Sequence, residues 1–311
     1  MLREARGARL SRDAPSARDG QTDRTHVALS ASGFSGAALF GALHVLAPLL
    51  EDVRHYAGSS GGALAAFVHC AGLDPREAAE LCARGVERDA HVLGALRAST
   101  IVEAWHGLGL ARPDAIERTL RDVLAARIGR RRASLRDFAQ ATGRVLAVWT
   151  TNLSTGRGQA LTLDSHPELD VVTAVLASMA VPLLYRPVEI EGDLHTDGAV
   201  TEFLPDAAFP GVPRGRVLRV ALSVPAPSGP PVGLLGLAAA ALTAAVRHRS
   251  IPEDPVDGLV LDVEPAWPVV GDDLVVRFDI DPAKVWRQFH AAADQTEAWL
   301  LLPKKEPSQE F

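Results

Sequence analysis

In the first part of the chain, short apolar runs alternate with segments whose apolar residues have helical spacing. Residues 26–31 (HVALSA) form one such run, and four leucines at helical spacing follow it over residues 39–50. Residues 53–57 form a second run, which leads into an alanine-rich segment over residues 61–71. Because two consecutive strand–turn–helix units are typical of a parallel sheet, the pattern predicts an α/β fold.

The later pattern continues this alternation of strands and helices. Further helices are predicted to begin at Pro75, Pro113 and Ser134, and another is predicted over residues 170–179. Further strands are predicted over residues 145–151, 194–196 and 217–224. Since the chain contains no internal repeat and no long linker, we expect one domain over residues 26–302. A disordered tail is expected over residues 1–25 and a polar tail over residues 303–311.

Composition and charge exclude several classes of protein. The 311 residues carry a net charge of −6, which argues against a nucleic-acid partner bound through phosphate contacts. Cys70 and Cys82 are the two cysteines, so neither a disulfide framework nor a zinc site is indicated. The first 24 residues lack the apolar segment of a secretory signal. We therefore expect a cytoplasmic protein, and peripheral contact with a membrane stays open.

Two segments allow a membrane interpretation beside a simpler one. Residues 232–246 form an uncharged run, which is shorter than the roughly 20 residues that a membrane span requires. A buried helix is the preferred interpretation, and a helix docked at a membrane surface is the alternative. The arginines at 127 and 130–132 are interpreted as a solvated helix end, with attraction of lipid head groups as the alternative.

The most informative motif is Gly58-x-Ser60-x-Gly62, which lies between a predicted strand and a predicted helix. This layout is typical of a nucleophile elbow, in which a serine stands on a sharp, strained turn. Glycines are needed because flanking side chains would collide with the neighbouring strand and helix. A Ser/Gly-rich turn without chemistry is the alternative. The motif in this context favours a serine acyl hydrolase with Ser60 as its nucleophile.

A serine nucleophile needs a base, and an aspartate is the preferred candidate in this chain. None of the seven histidines that follow Ser60 has a sequence context that marks it as a general base. Asp197, in contrast, follows a predicted short strand and begins the motif Asp197-Gly198-Ala199. A triad in which Asp197 orients His248 or His290 stays an alternative.

The chain resembles the patatin-like phospholipase family, whose members use a Ser–Asp dyad. Four blocks carry this resemblance in order: residues 29–36 (LSASGFSG), residues 58–62 (GSSGG), residues 150–156 (TTNLSTG) with 177–182 (ASMAVP), and residues 196–199 (TDGA). Residues 278–281 and the helix after them resemble the closing segment of the family. The resemblance therefore covers most of the chain from residue 26 to about residue 300.

The resemblance implies a three-layer α/β fold with a mostly parallel central sheet flanked by helices. It also implies that Ser60 is the nucleophile, Asp197 is the base, and the backbone at Ser32, Gly33 and Phe34 forms an oxyanion hole. The implied reaction is hydrolysis of fatty acyl esters of phospholipids or related lipids at a membrane surface, through an acyl-enzyme. No cofactor and no metal are expected, and the sequence does not indicate protein partners.

One block departs from the family pattern. The family usually has three glycines, a variable residue and then a lysine or arginine, where this chain has Ala31, Ser32, Gly33, Phe34 and Ser35. Backbone N–H groups are present at all five positions, so an oxyanion hole can still form. A catalytically impaired protein that binds lipids or other proteins is therefore the alternative function.

Overall fold

The computed structural model describes residues 24–89, 109–111, 113–223, 244, 258–265, 268–270, 276–278 and 280–302. The strands are β1 (His26–Leu29), β2 (His55–Ser59), β3 (Gly109–Ala111), β4 (Val145–Asn152), β5 (Arg157–Leu161), β6 (Leu183–Tyr185), β7 (Val188–Ile190), β8 (Asp193–Thr196), β9 (Val217–Leu222), β10 (Leu259–Leu261), β11 (Pro268–Val270) and β12 (Val276–Phe278). The α-helices are α1 (Gly36–Leu46), α2 (Gly61–Cys70), α3 (Pro75–Asp89), α4 (Asp114–Ile128), α5 (Leu135–Thr142), α6 (Val171–Ser178) and α7 (Pro282–Leu300).

A mixed, mostly parallel sheet forms the centre of the described part of the chain. Its strand order is β10-β9-β1-β2-β4-β8-β7, and β5 pairs with β4 beside this path. The five strands from β10 to β4 in this order run parallel, whereas β5, β7 and β8 pair antiparallel to their neighbours. Helices pack against this sheet, so the predicted α/β class with a mostly parallel central sheet is confirmed.

The register around β4 sets the position of the site. β2 ends beside β4 at the pair Ser59 and Trp149, and β4 continues for three more residues to Asn152. β8 enters from the opposite direction and pairs Thr196 with Thr151. Because β5 pairs with the opposite side of β4 over residues 148–152, the end of β2 and the end of β8 meet on the same side of β4, although the two strands run in opposite directions.

The predicted elements are found with small shifts at their ends. The helix predicted up to residue 50 ends as an α-helix at Leu46 and continues as the 3₁₀ helix Ala47–Leu49. Pro48 explains this change, because proline lacks the N–H group that would bond to the carbonyl one turn earlier. Ser134, the predicted start of a helix, forms a capping box with Asp137 at the N-terminus of α5.

The second strand lies two residues later than the sequence predicted, at residues 55–59 instead of 53–57. The glycine at position 58 looked like the start of the turn. In the sheet, however, Gly58 and Ser59 still pair with Val148 and Trp149 of β4. The turn is therefore confined to Ser60, which makes it sharper than expected.

The first and last described helices pack closely together. The apolar face of α1, including Leu39, Leu43 and Phe40, is buried in the main core with Phe289 of α7. A Cβ atom added to Gly41 would lie 2.1 Å from the backbone oxygen of Phe289, so the two helices approach at this glycine. The C-terminal helix therefore covers the helix that follows β1.

Several sequence expectations fall on residues outside the described part. These are the tail before residue 24, the tail after residue 302, and the apolar run over residues 232–246 except for residue 244. Among the helices that are described, none has both the length and the apolar character needed to cross a membrane.

Candidate active site

Ser60 occupies a strained backbone position between β2 and α2. Its φ of 54° and ψ of −124° are unusual for a residue other than glycine. A Cβ at Gly58 would lie 2.3 Å from the carbonyl oxygen of Gly62, and a Cβ at Gly62 would lie 2.3 Å from the carbonyl oxygen of Ser30. Both glycines are therefore required by backbone contacts, and the strand, the strained turn and the helix have the layout that a nucleophile elbow needs.

The structure brings the side chains of Ser60 and Asp197 together. The Ser60 hydroxyl donates a hydrogen bond of 2.6 Å to Oδ2 of Asp197. The other carboxylate oxygen, Oδ1, accepts a hydrogen bond of 2.8 Å from the backbone N–H of Ala199. Both carboxylate oxygens are thus engaged, and the Ala199 contact fixes the rotation of the carboxylate relative to Ser60.

The backbone of Asp197 is held on both sides. Its N–H donates to the carbonyl oxygen of Ala180 at 3.0 Å, and its own carbonyl accepts from the hydroxyl of Thr151 at 2.9 Å. A Cβ at the next residue, Gly198, would lie 2.3 Å from the backbone oxygen of Trp149. The glycine of the 197–199 motif is therefore needed because the chain crosses β4 at close range.

Burial changes the acidity of this carboxyl group. Asp197 is 3% exposed, and burial raises its pKa from 3.8 to about 6, while the hydrogen bonds from Ser60 and Ala199 oppose part of this rise. A carboxylate with a pKa near 6 is a stronger base than an exposed aspartate. It is nevertheless ionised in most molecules at neutral pH, so it can accept a proton.

Ser178 links the elbow to the sheet, and sequence reasoning did not single it out as a site residue. Its hydroxyl accepts a hydrogen bond of 2.8 Å from the backbone N–H of Ser60 and donates one of 2.6 Å to the carbonyl of Trp149. Ser178 is fully buried at the end of α6. The block over residues 177–182 was the available signal, because it places a serine inside an otherwise apolar segment.

Two helices begin at residues that line the cavity beside Ser60. Gly33 begins the 3₁₀ helix Gly33–Ser35, and Gly61 begins α2. As the first residues of their helices, Gly33 and Gly61 have N–H groups without an acceptor in the same helix. Both residues line the same cavity as Ser60, and Phe34 lines it as well. This arrangement offers donors for negative charge that develops beside Ser60.

Ser32, the third residue predicted for the oxyanion hole, lies against the start of α2. A Cβ added to Gly61 would lie 2.0 Å from Oγ of Ser32. The Ser32 carbonyl accepts the N–H of Ser35 at 2.9 Å, which closes the turn over residues 33–35. The Ser32 side chain thus lies next to the Gly61 backbone.

An apolar cavity of about 270 Å³ opens beside Ser60. Its walls come from α1, α2, α3 and α4, together with residues near β6 and the start of α7. The lining includes Phe40, Leu64, Leu81, Ile116, Leu120 and Val285. A cavity with this lining suits a hydrocarbon chain better than a polar substrate.

The described histidines make their contacts elsewhere. Nδ1 of His195 lies 3.0 Å from the Thr150 hydroxyl, and burial lowers the pKa of His195. His69 lies against Tyr56, and burial lowers its pKa to about 4. His290 stacks on Trp286 of α7. His248, the other histidine of the triad alternative, lies outside the described residues.

The described residues contain no group of three or more His, Cys, Asp or Glu side chains that could hold a metal ion.

Three of the clustered arginines, at 127, 130 and 131, form ion pairs with acidic side chains on α3, α5 and α4. These partners agree with the interpretation of a solvated helix end.

Comparisons with known proteins point in one direction. A family model described as "Patatin-like phospholipase" matches residues 27–209. A probable lipid hydrolase of Invertebrate iridescent virus 6 is 20% identical over 177 residues, which are 57% of this chain and 60% of that protein. An uncharacterised NTE family protein of Mycobacterium bovis is 27% identical over 210 residues, which are 66% of this chain and 51% of that protein. The chain thus spans between half and three fifths of the length of these relatives.

A solved structure shares the fold. The crystal structure of VipD from Legionella pneumophila matches with a TM-score of 0.61 at 14% identity, covering 89% of this chain and 67% of that one. At this level of identity the match concerns the fold alone. It extends beyond the residues that the family model matches.

Proposed function

Because the chain belongs to the patatin-like phospholipase family, we propose that it is a lipid acyl hydrolase that works through a Ser60–Asp197 dyad and an acyl-enzyme. The observation that carries this proposal is the 2.6 Å contact between the Ser60 hydroxyl and Asp197 Oδ2, beside an apolar cavity. We also propose that one catalytic domain extends over residues 26–302.

In the first step, Asp197 acts as the general base. As Ser60 Oγ bonds to the ester carbonyl carbon, its proton moves to Oδ2 of Asp197, and the carbonyl π electrons become an oxyanion. The raised pKa of Asp197 supports this role, because it brings the base closer to neutral pH. No histidine is required in this scheme.

Developing negative charge is stabilised by backbone donors. The N–H groups of Gly33 and Gly61 are the proposed oxyanion donors, together with the neighbouring backbone at Ser32 and Phe34. The N–H of Ser60 is already engaged by Ser178, so the hole has to be built from the neighbours of Ser60. Such fixed donors are typically the largest single contribution in acyl transfer.

The reaction is completed in two further transfers. Collapse of the first intermediate breaks the bond to the leaving alcohol, which takes the proton from Asp197 and leaves the acyl group on Ser60. Water then attacks the acyl carbon and gives a proton to Asp197. Collapse of the second intermediate returns a proton to Ser60 Oγ and releases the fatty acid.

The cavity supports a lipid as the substrate class. Its apolar walls suit the acyl chain, and a polar head group would then remain outside. The proposed substrates are phospholipids or related acyl esters presented at a membrane surface. The proposed chemistry is supplied entirely by this chain, without a metal or a cofactor.

A fluorophosphonate probe tests the proposal directly. We expect the folded protein to be labelled at Ser60 and to hydrolyse acyl esters, and both activities should nearly vanish in Ser60→Ala and Asp197→Asn. Ser59→Ala is the matched control, because Ser59 is buried one residue earlier and donates to the Glu202 carbonyl instead of Asp197. Activity that persists in Ser60→Ala but is lost in Ser59→Ala would contradict the assignment.

A lipid-binding module without catalysis is the second candidate. It is favoured by the Ser32 side chain, which lies against the backbone of Gly61, one of the proposed oxyanion donors. In that case a well-folded protein would bind lipid vesicles but would not react with the fluorophosphonate.

A further inference from the structure

We propose that Gln288, on the C-terminal helix α7, is a positioning residue that fixes the turn Gly33–Ser35 for catalysis. Its Nε2 donates to the hydroxyl oxygen of Ser35 at 3.2 Å and to the carbonyl oxygen of Glu264 at 2.8 Å. Gln288 is 1% exposed and lies beyond the residues matched by the family model. This inference rests on the proposed function, because the turn supplies the proposed oxyanion donors.

The orientation of the Gln288 amide is determined by its partners. A backbone carbonyl can only accept, so the atom 2.8 Å from the Glu264 oxygen has to be the nitrogen. Glu264 is itself fixed against α7, because its carboxylate pairs with Lys284 at 3.2 Å and with Arg287 at 3.5 Å. The anchor for Gln288 is therefore a well-held segment, and its second N–H is available for Ser35.

Gly33 and Ser35 differ in exposure within the 33–35 turn. Gly33 is exposed and has a φ of +52°, and a Cβ placed on it would have no heavy atom within 4 Å. The Gly33 carbonyl oxygen lies beside the start of α2, 3.3 Å from the place that a Cβ on Gly61 would take. Ser35, in contrast, is buried, and its N–H closes the turn on the Ser32 carbonyl. The hydrogen bond from Gln288 to the Ser35 hydroxyl is thus one attachment of the turn to α7.

The side-chain oxygen Oε1 of Gln288 makes leucine the suitable replacement for testing this residue. It is the one buried side-chain atom of the described residues without a hydrogen-bond partner. An apolar residue of similar size would lose two hydrogen bonds but would also remove this unpaired oxygen. Gln288→Leu should therefore lose little stability while its kcat falls clearly. This difference distinguishes a positioning role from a role in folding.

The experiment compares Gln288→Leu with Gln295→Leu. Gln295 is the matched control, because it lies on the same helix and bonds to Asp262 through both amide atoms at 2.8 Å, away from the turn. For p-nitrophenyl butyrate, we expect Gln288→Leu to lower kcat about tenfold with KM changed by less than about twofold. Gln295→Leu should leave kcat unchanged. Ser35→Ala should lower kcat similarly, and the double variant Ser35→Ala/Gln288→Leu should be no worse than either single variant.

Amide hydrogen exchange provides a readout that does not depend on activity. Exchange over residues 33–35 should be faster in Gln288→Leu than in Gln295→Leu, whereas exchange over α1 should be the same in both variants. Equal exchange and equal kcat in the two variants, with an active wild-type protein, would overturn this inference but leave the proposed function intact. A wild-type protein that reacts with neither ester nor fluorophosphonate would instead overturn the proposed function, and the role of Gln288 in catalysis with it.

Discussion

At the scale of single residues, Asp197 combines a proposed catalytic role with a cost in stability. Its pKa is about 6 in the folded protein and about 3.8 when exposed. The folded state therefore binds its proton more tightly than the unfolded state does. The contribution of the Asp197 carboxyl group to the free energy of unfolding is therefore fully present below about pH 4. It is lost as the pH rises through about 6.

Replacement of this carboxyl group should therefore stabilise the fold while it removes activity. At pH 8 we expect Asp197→Asn to be more stable than the wild type by on the order of 2–3 kcal/mol, with the difference shrinking below about pH 4. Urea unfolding at several pH values measures this effect. A variant that is less stable than the wild type at pH 8 would mean that the carboxylate is stabilised by its surroundings.

The same pKa predicts the pH dependence of the rate. Protonated Asp197 cannot accept the proton of Ser60, so kcat/KM should rise with pH through a limb near pH 6. A profile measured between about pH 4 and pH 9 on a neutral ester checks this prediction. A limb near pH 4 would indicate a base that is exposed to solvent.

At the scale of elements, the link between α6 and the elbow carries a separate prediction. Ser178→Ala leaves the buried N–H of Ser60 and the carbonyl of Trp149 without their present partner. We expect a loss of about 1–3 kcal/mol in stability and a lower kcat, because the strained backbone of Ser60 loses its tether. Denaturant unfolding and ester kinetics measure both.

Ser165→Ala is the control for this change. Ser165 lies in an exposed turn, and its hydroxyl contacts residues of the same segment, Ala160, Thr162 and His166. Ser165→Ala should change neither the stability nor kcat by much. Equal effects of the two variants would show that the hydroxyl of Ser178 has no special place in the elbow.

Sequence patterns predicted the elements whose signals are local. The two strand–turn–helix units, the helix start at Ser134 and the family all followed from short stretches of chain. The family resemblance implied the pair Ser60 and Asp197, but the hydrogen bonds that hold the Asp197 backbone depend on the antiparallel entry of β8 beside the end of β4, which no local periodicity reports. The contact between Gln288 and Ser35 spans 253 positions and depends on how α7 packs on α1. Such contacts follow from tertiary packing, so they were not predicted.

At the scale of the whole molecule, four helices form the cavity, and α3 offers a position from which to test it. Gly85 lines the cavity, and a Cβ at this residue would have no heavy atom within 4 Å. Gly85→Leu should therefore place its side chain in the cavity and lower kcat/KM for a p-nitrophenyl laurate more than for the butyrate.

Gly85→Ala is the matched control, because a methyl group leaves most of the cavity open. It should keep the preference of the wild type and stabilise α3 by roughly 0.5–1 kcal/mol. If Gly85→Leu treats long and short esters as the wild type does, the acyl chain does not occupy this cavity.

The separation of the two reacting side chains along the chain has a consequence for biosynthesis. Ser60 and Asp197 lie 137 positions apart, and β9, which lies beside β1 in the sheet, comes later still. During translation, Ser60, the proposed nucleophile, is therefore synthesised long before Asp197, its proposed base. It is also synthesised before β9, which completes the sheet around β1. If the proposed function holds, a nascent chain carries an unactivated hydroxyl throughout this interval, and ester hydrolysis begins only after translation has passed both segments.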